Sequence, residues 1–204
     1  MRAVAILAAV ALAPGASHAL DLTGRVAVGA QAGSTGPGVE SLLKLNDRLV
    51  LRGAIEGFRA GGRVHSGGAA YDVDARWLTD SGMVDFHPAG TAWLVSVGAY
   101  YGRRDFKLRG ASPGVVAVHG RARLAPVAPF AALGWDNTFH GARRIGFKVR
   151  VGVIASGSPD VDLRASGGGS ADDAELARQE RALRRELRPA RLWPVAQAGL
   201  TYRF

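Results

Sequence analysis

The chain contains no cysteine, so no disulfide staples it and its stability comes from backbone pairing and packing. Beyond the N-terminal stretch no apolar run of about 20 residues occurs, which excludes a transmembrane helix from the mature chain. Cys/His spacing of the metal-ligand kind is absent, so no metal or other cofactor is expected. No serine, histidine and acid are fixed together by spacing: His65-Ser66, His87, His119 and His140 are scattered along the chain. Glycine runs such as "GAQAGSTGPG" lack the strand–loop–helix setting of a phosphate cradle and are turn chemistry. Acidic residues are few, 17 against 26 Lys and Arg, which leaves a formal net charge of +9. An excess of this size points to nucleic acid, anionic lipid or a solvated surface.

The N-terminus narrows that choice. "MRAVAILAAVALAPGASHA" places Arg2 before an apolar core, breaks it at Pro14-Gly15 and ends in the small-x-small Ser17-His18-Ala19. This is the pattern of a signal peptide over residues 1–19, with cleavage expected after Ala19 and the mature domain spanning 20–204. Export makes nucleic acid an unsuitable partner and directs the basic excess toward lipid phosphates.

The mature chain is rich in glycine, with 28 residues, and shows period-two segments separated by Gly, Pro and Asp breaks. Eight such segments are expected as strands: 22–30, 39–46, 48–58, 71–78 with a continuation through "MVDF", 92–102, 127–135, 144–154 and 193–204. A slip at Gly82, read as a bulge, joins the two parts of the fourth. Connections alternate between short and long, the layout of an eight-stranded antiparallel transmembrane β-barrel. Closure satisfies every backbone group and removes the sheet edges, as lipid demands. The last strand is expected to pair with the first, with Leu200, Tyr202 and Phe204 facing lipid.

Here the chain resembles small bacterial outer-membrane barrels of the OmpA/OmpW-like superfamily. "GLTYRF" is similar to their C-terminal strand, and "VDFHPAGTAWLVSVGAYYG" to a hairpin in which an Asp-aromatic-x-Pro turn leads into an outgoing strand. The resemblance implies an outer-membrane location and recognition of Leu200, Tyr202 and Phe204 by the barrel insertion machinery.

The alternation places Arg25, Lys44, Arg52, Arg76, Lys148 and Arg150 inward with Glu40, Glu56, Asp72 and Asp74. An eight-stranded barrel is just wide enough for side chains to fill it, and an unpaired charge there is costly. A plugged, salt-bridged interior is therefore expected. If the strands extend above the bilayer, Asp72 and Asp74 sit at the mouth instead. The segment "SADDAELARQERALRRELRP" departs from the strand period. It is expected as a helix over 170–188 in the last long loop, capped by Ser170 and stopped at Pro189. Its Arg178, Arg181, Arg184, Arg185 and Arg188 are either a solvated face or a contact for lipopolysaccharide phosphates. The functional expectation is a non-enzymatic barrel with a structural or surface-interaction role. The alternative is a narrow channel or transport path for small apolar molecules, for which Gly98, Gly152 and Gly199 would leave space. A third reading is a lipid A-modifying rim enzyme.

Overall fold

In the computed structural model, residues 22–66, 69–112, 115–157, 160–165, 181 and 191–204 are described. The expected signal peptide and most of the expected helix lie outside these residues. Of the latter only Arg181 is described, and it is exposed.

Ten strands form one sheet: β1 (Val26–Gly33), β2 (Gly38–Lys44), β3 (Leu49–Ser66), β4 (Ala69–Phe86), β5 (Trp93–Ser112), β6 (Val115–Arg123), β7 (Val127–Asp136), β8 (Ile145–Ala155), β9 (Asp160–Ala165) and β10 (Leu192–Arg203). Eight of them close a ring, in the order β1-β2-β3-β4-β5-β7-β8-β10 and back to β1, every pairing antiparallel. The closing pair runs from Ala27↔Arg203 to Gly33↔Gln197. Phe204 itself is held to the first segment by both backbone groups, its N–H donating to Val26 O (3.0 Å) and its carbonyl accepting from Gly24 N–H (2.6 Å). Every strand of the ring thus has a neighbour on each side, the arrangement that leaves no edge.

The ring is uneven in height. β3 and β4 have 18 residues each, and β1 and β2 have 8 and 7, about 60 Å of strand against about 25 Å. The segment expected to be a Gly-rich loop at 59–70 is therefore largely paired strand. The extra length forms a wall of β3, β4, β5, β6 and β9 at one end, here called the tall end. β6 and β7 are one descending strand interrupted at Pro126, because Asp105↔Arg123 and Tyr101↔Val127 keep a single register across the gap. Proline cannot donate to the ladder. β6 and β9 fall in stretches whose sequence had suggested only long connections.

One correction reverses a strand. The β3–β4 and β4–β5 registers run unbroken through Gly82, so no bulge lies there. Because the side-chain period is two, the exposed Val84 and Phe86 then fix the phase of all of β4. Trp77 points inward, and Asp72, Asp74 and Arg76 lie on the exposed outer face.

The exterior of the ring carries an apolar band. Leu78, Val84 and Phe86 on β4, Trp93, Val95, Val97 and Tyr101 on β5, and Ile145 to Val153 at alternate positions on β8 are all exposed. Nine to eleven residues of tilted strand cross a bilayer core, and the band on β4, β5 and β8 has this extent. An apolar outside around a polar inside is the reverse of a water-soluble domain.

Candidate functional site in the barrel interior

The inward positions build three layers, because successive inward residues on neighbouring strands lie at matching heights. At the short-turn end Ala27, Leu42, Val50 and Phe139 form an apolar floor. Beside it Thr138 binds Asp136 through both N–H (2.7 Å) and hydroxyl, and Thr138 and Thr201 share a 2.7 Å hydrogen bond. The His87 and His140 rings meet here at a tilt, centroids 4.9 Å apart, with His87 Nδ1 3.0 Å from Thr91 O.

The middle layer holds the charges. Arg52 grips Asp85 with Nε (2.9 Å) and Nη2 (3.0 Å), and the same Nη2 donates to Ser96 Oγ (2.9 Å). Both partners are about 1% exposed. Lys148 forms an ion pair with Glu40, and Arg150 Nη2 lies 4.0 Å from the same carboxylate. Arg150 also donates to Gln31 Oε1 (2.7 Å) and Gln197 Oε1 (3.0 Å). Those two amides turn their nitrogens to Glu56, each at 2.8 Å, and Thr35 and Tyr100 complete its acceptor shell. A narrow interior makes this satisfaction necessary, since a buried carboxylate without donors is penalised by several kcal/mol, roughly.

Above lies an aromatic layer. Trp77 stacks on Phe58 (5.7 Å) and Trp193 (5.3 Å), and Tyr100 meets Phe130 edge-on (5.4 Å). The Arg104 guanidinium sits 5.5 Å from the Trp77 ring centroid and donates to Ser156 Oγ (2.8 Å) and to Ala125 O. Leu124, Ala128, Ile154 and Val195 fill the remaining space of this cluster.

Of the residues expected inside, Glu40, Arg52, Glu56, Lys148 and Arg150 come together. Lys44 lies at the rim, where it pairs with Asp47 at 2.8 Å. Arg25 is exposed at the short-turn end, outside β1. Asp72, Asp74 and Arg76 are outward for the reason of phase given above; Arg63 pairs with Asp72 (2.9 Å) and Arg109 reaches Asp74 (3.9 Å) on the wall's surface. Asp85, Arg104 and Asp136 are the interior charges that sequence reasoning missed. Counting from the apolar neighbours Val84 and Phe86, Tyr101, and Trp135 puts each of them inside.

The buried charged residues then number four cations (Arg52, Arg104, Lys148, Arg150) and four carboxylates (Glu40, Glu56, Asp85, Asp136), a formal sum of zero among the described residues. Nor do the inward glycines leave room. A Cβ on Gly98 would stand 2.7 Å from Met83 Cα, one on Gly199 2.9 Å from Lys148 Cε, and one on Gly152 2.7 Å from Ala132 Cα. Among the described residues, side chains meet across the interior at each of the three layers.

The described histidines are spread over both ends: His119 is exposed on β6 of the wall, while His87 and His140 are at the opposite end. The side chains of His65 and Ser66 lie outside the described residues, as do Arg178, Arg184, Arg185 and Arg188. The terminal Leu200, Tyr202 and Phe204 are exposed on the outer face, with the last two rings edge-to-face at 5.3 Å.

A closed eight-stranded antiparallel barrel, apolar outside and polar and filled inside, belongs to the class of small membrane-spanning β-barrels. Two solved structures share its fold. Acinetobacter baumannii CarO2 is 21% identical, with a TM-score of 0.63 over 88% of this chain and 98% of that one. Acinetobacter baumannii CarO is 20% identical, with a TM-score of 0.59 over 87% and 97%. No family model matches the chain, and no curated protein does.

Proposed function

We propose that the mature chain is an integral barrel of the bacterial outer membrane with a structural or surface-interaction role, the short-turn end facing the periplasm and the tall end the exterior. The observation that carries this reading is the interior, where four cations and four carboxylates are buried within three layers that run from an apolar floor to an aromatic layer. A neutral, filled lumen has no wide path and no net preference for either sign of ion. The apolar band, the likeness to the CarO barrels and the resemblance of "GLTYRF" to an outer-membrane C-terminal strand support the location. In this reading Leu200, Tyr202 and Phe204 are the signal for the insertion machinery, and Arg178, Arg181, Arg184, Arg185 and Arg188 are available to lipopolysaccharide. The role is non-catalytic. Planar-bilayer conductance of the refolded protein tests the proposal: no stable large single-channel steps are expected, and their appearance would overturn it.

A second reading, a lateral path for small apolar molecules, draws on one observation. A shallow cleft of about 580 Å³ lies on the side of the molecule where the low strands meet the wall.

A further inference from the structure

That cleft lies where β2 ends and β3 and β4 continue upward. Its lining includes Val39, Ile55 and Leu78, all exposed on the lipid-facing side, and Phe58 and Trp77 from the inward face. Arg59 stands at its upper rim. The lining is thus mainly apolar, beginning in the apolar band and ending under a cation, with Glu56 the one carboxylate on its inner side.

Immediately above the band, four strands of the wall carry an arginine on the outer face, while β9 sets Asp160 opposite Arg123 and this aspartate has an interaction of its own. Going up the outer face, β3 passes from Ile55 over Gly57 to Arg59, and β4 from Leu78 to Arg76. On β5 the step is from Tyr101 to Arg103, and on β6 and β7 from Val127 over Ala125 to Arg123. All four arginines are exposed. Arg59 and Arg76 are directly opposed across the β3–β4 ladder, a placement that sets Cβ atoms about 5 Å apart and destabilises a pair of like charges. Neither forms an ion pair among the described residues. Asp105 lies between Arg76 and Arg123 in register yet pairs with neither. Asp80, opposite Ile55 and lower in the band, has an interaction of its own. With Asp105 beside Arg76 and no carboxylate opposite Arg59, the opposed pair keeps an excess positive charge, and a phosphate can accept charge-assisted bonds from both arginines.

We propose that the cleft seats an acyl chain of a phosphorylated lipid of the outer leaflet, whose phosphate is held between Arg59 and Arg76. The proposal rests on the outer-membrane reading above and names a ligand for its tall end. Charge complementarity supplies the headgroup contact, and continuity of the slot with the apolar band supplies the tail contact.

Native mass spectrometry of the refolded mature barrel in detergent tests it, with diphosphoryl lipid A as probe, its dephosphorylated form as control and inorganic phosphate as competitor. The wild type is expected to retain the diphosphoryl form about tenfold better than the control, the effect of one charge-assisted contact. The pair Arg59→Gln and Arg76→Gln removes that preference, Leu78→Trp weakens retention of both lipids by filling the slot, and inorganic phosphate leaves the lipid bound. Equal retention of the two lipids by the wild type would indicate an apolar solute site and overturn the proposal. Undiminished preference in the double variant, or displacement by inorganic phosphate, would overturn it too. Heat-modifiable gel mobility, read in parallel, reports closure of the barrel. A closed, non-conducting barrel that ignores phosphorylation sinks this inference alone, whereas a conducting one sinks the reading beneath it.

Discussion

Arg52 and Arg103 are the same residue type on neighbouring parts of one sheet, and the protein treats them in opposite ways. Arg52, inside the ring, is about 1% exposed and is bonded by two nitrogens to Asp85 and by one of these to Ser96. Arg103, on the outer face above the apolar band, is exposed and joins no described ion pair. The low-dielectric interior makes a missing partner expensive, so every interior cation has been given polar or aromatic company. At the outer border water solvates the guanidinium, and a free one is tolerated until a ligand takes it. Interior charges in this barrel serve closure, and border charges are available for recognition.

The sharpest way to break that contrast is to remove one interior partner. Asp85→Ala leaves Arg52 buried and uncompensated, and is expected to cost about 3–5 kcal/mol, read as a lower urea midpoint for the detergent-folded barrel. Adding Arg52→Met should recover most of the loss. An unchanged midpoint for Asp85→Ala would mean that water reaches the layer and that the interior is open.

A smaller effect is expected at the short-turn end. Burial, and next the neighbouring His87, hold the His140 pKa below its ordinary value of 6.5, against the opposing pull of Asp136; Lys44 adds to the depression. The folded state therefore binds fewer protons there than the unfolded chain, so stability contributed by neutral His140 is present above about pH 6.5 and declines as pH falls below it. The urea midpoint should drop between pH 8 and pH 5, and drop less in His140→Gln. Equal pH dependence in the two proteins would remove the histidine pair from the account of this end.

The least effect is expected at the border itself. Arg103→Gln should change stability by no more than about 0.5 kcal/mol, by the same midpoint measurement. A loss approaching that of Asp85→Ala would show that the border arginines are structural and erase the contrast.

Much of this fold was legible because alternation is a local property. The eight segments correspond to the eight strands of the ring, and their outward residues on β3, β5, β8 and β10 could be read directly, as Ile145, Phe147, Val149, Val151 and Val153 illustrate. The charges of the middle layer followed on those strands. Reading failed on β4, where both faces carry apolar residues. Tyr71, Val73, Ala75 and Trp77 made one credible outward face and Val84 with Phe86 another, and an invented bulge at Gly82 reconciled them. Once the ladder is known to be continuous, Trp77 must go inside and Arg76 outside. The wall strands β6 and β9 escaped notice because they are short and flanked by Gly, Pro and Ser; Asp160 to Ala165 does alternate polar with apolar residues, but six residues between such breaks carry too little pattern to separate from a loop.

The residues alone determined that this chain forms a closed ring with one side of each strand for lipid, since a period of two and the apolar bias of one face are carried within each segment. Only the tertiary structure decided which carboxylate neutralises which cation, how far the wall of β3, β4, β5, β6 and β9 rises above the other strands, and that Arg59 and Arg76 stand together over a cleft. Those facts depend on how segments far apart in the chain are brought into register, as in the bond from Gln197 to Thr35 across 162 residues, and register is a property of paired strands that no single strand contains.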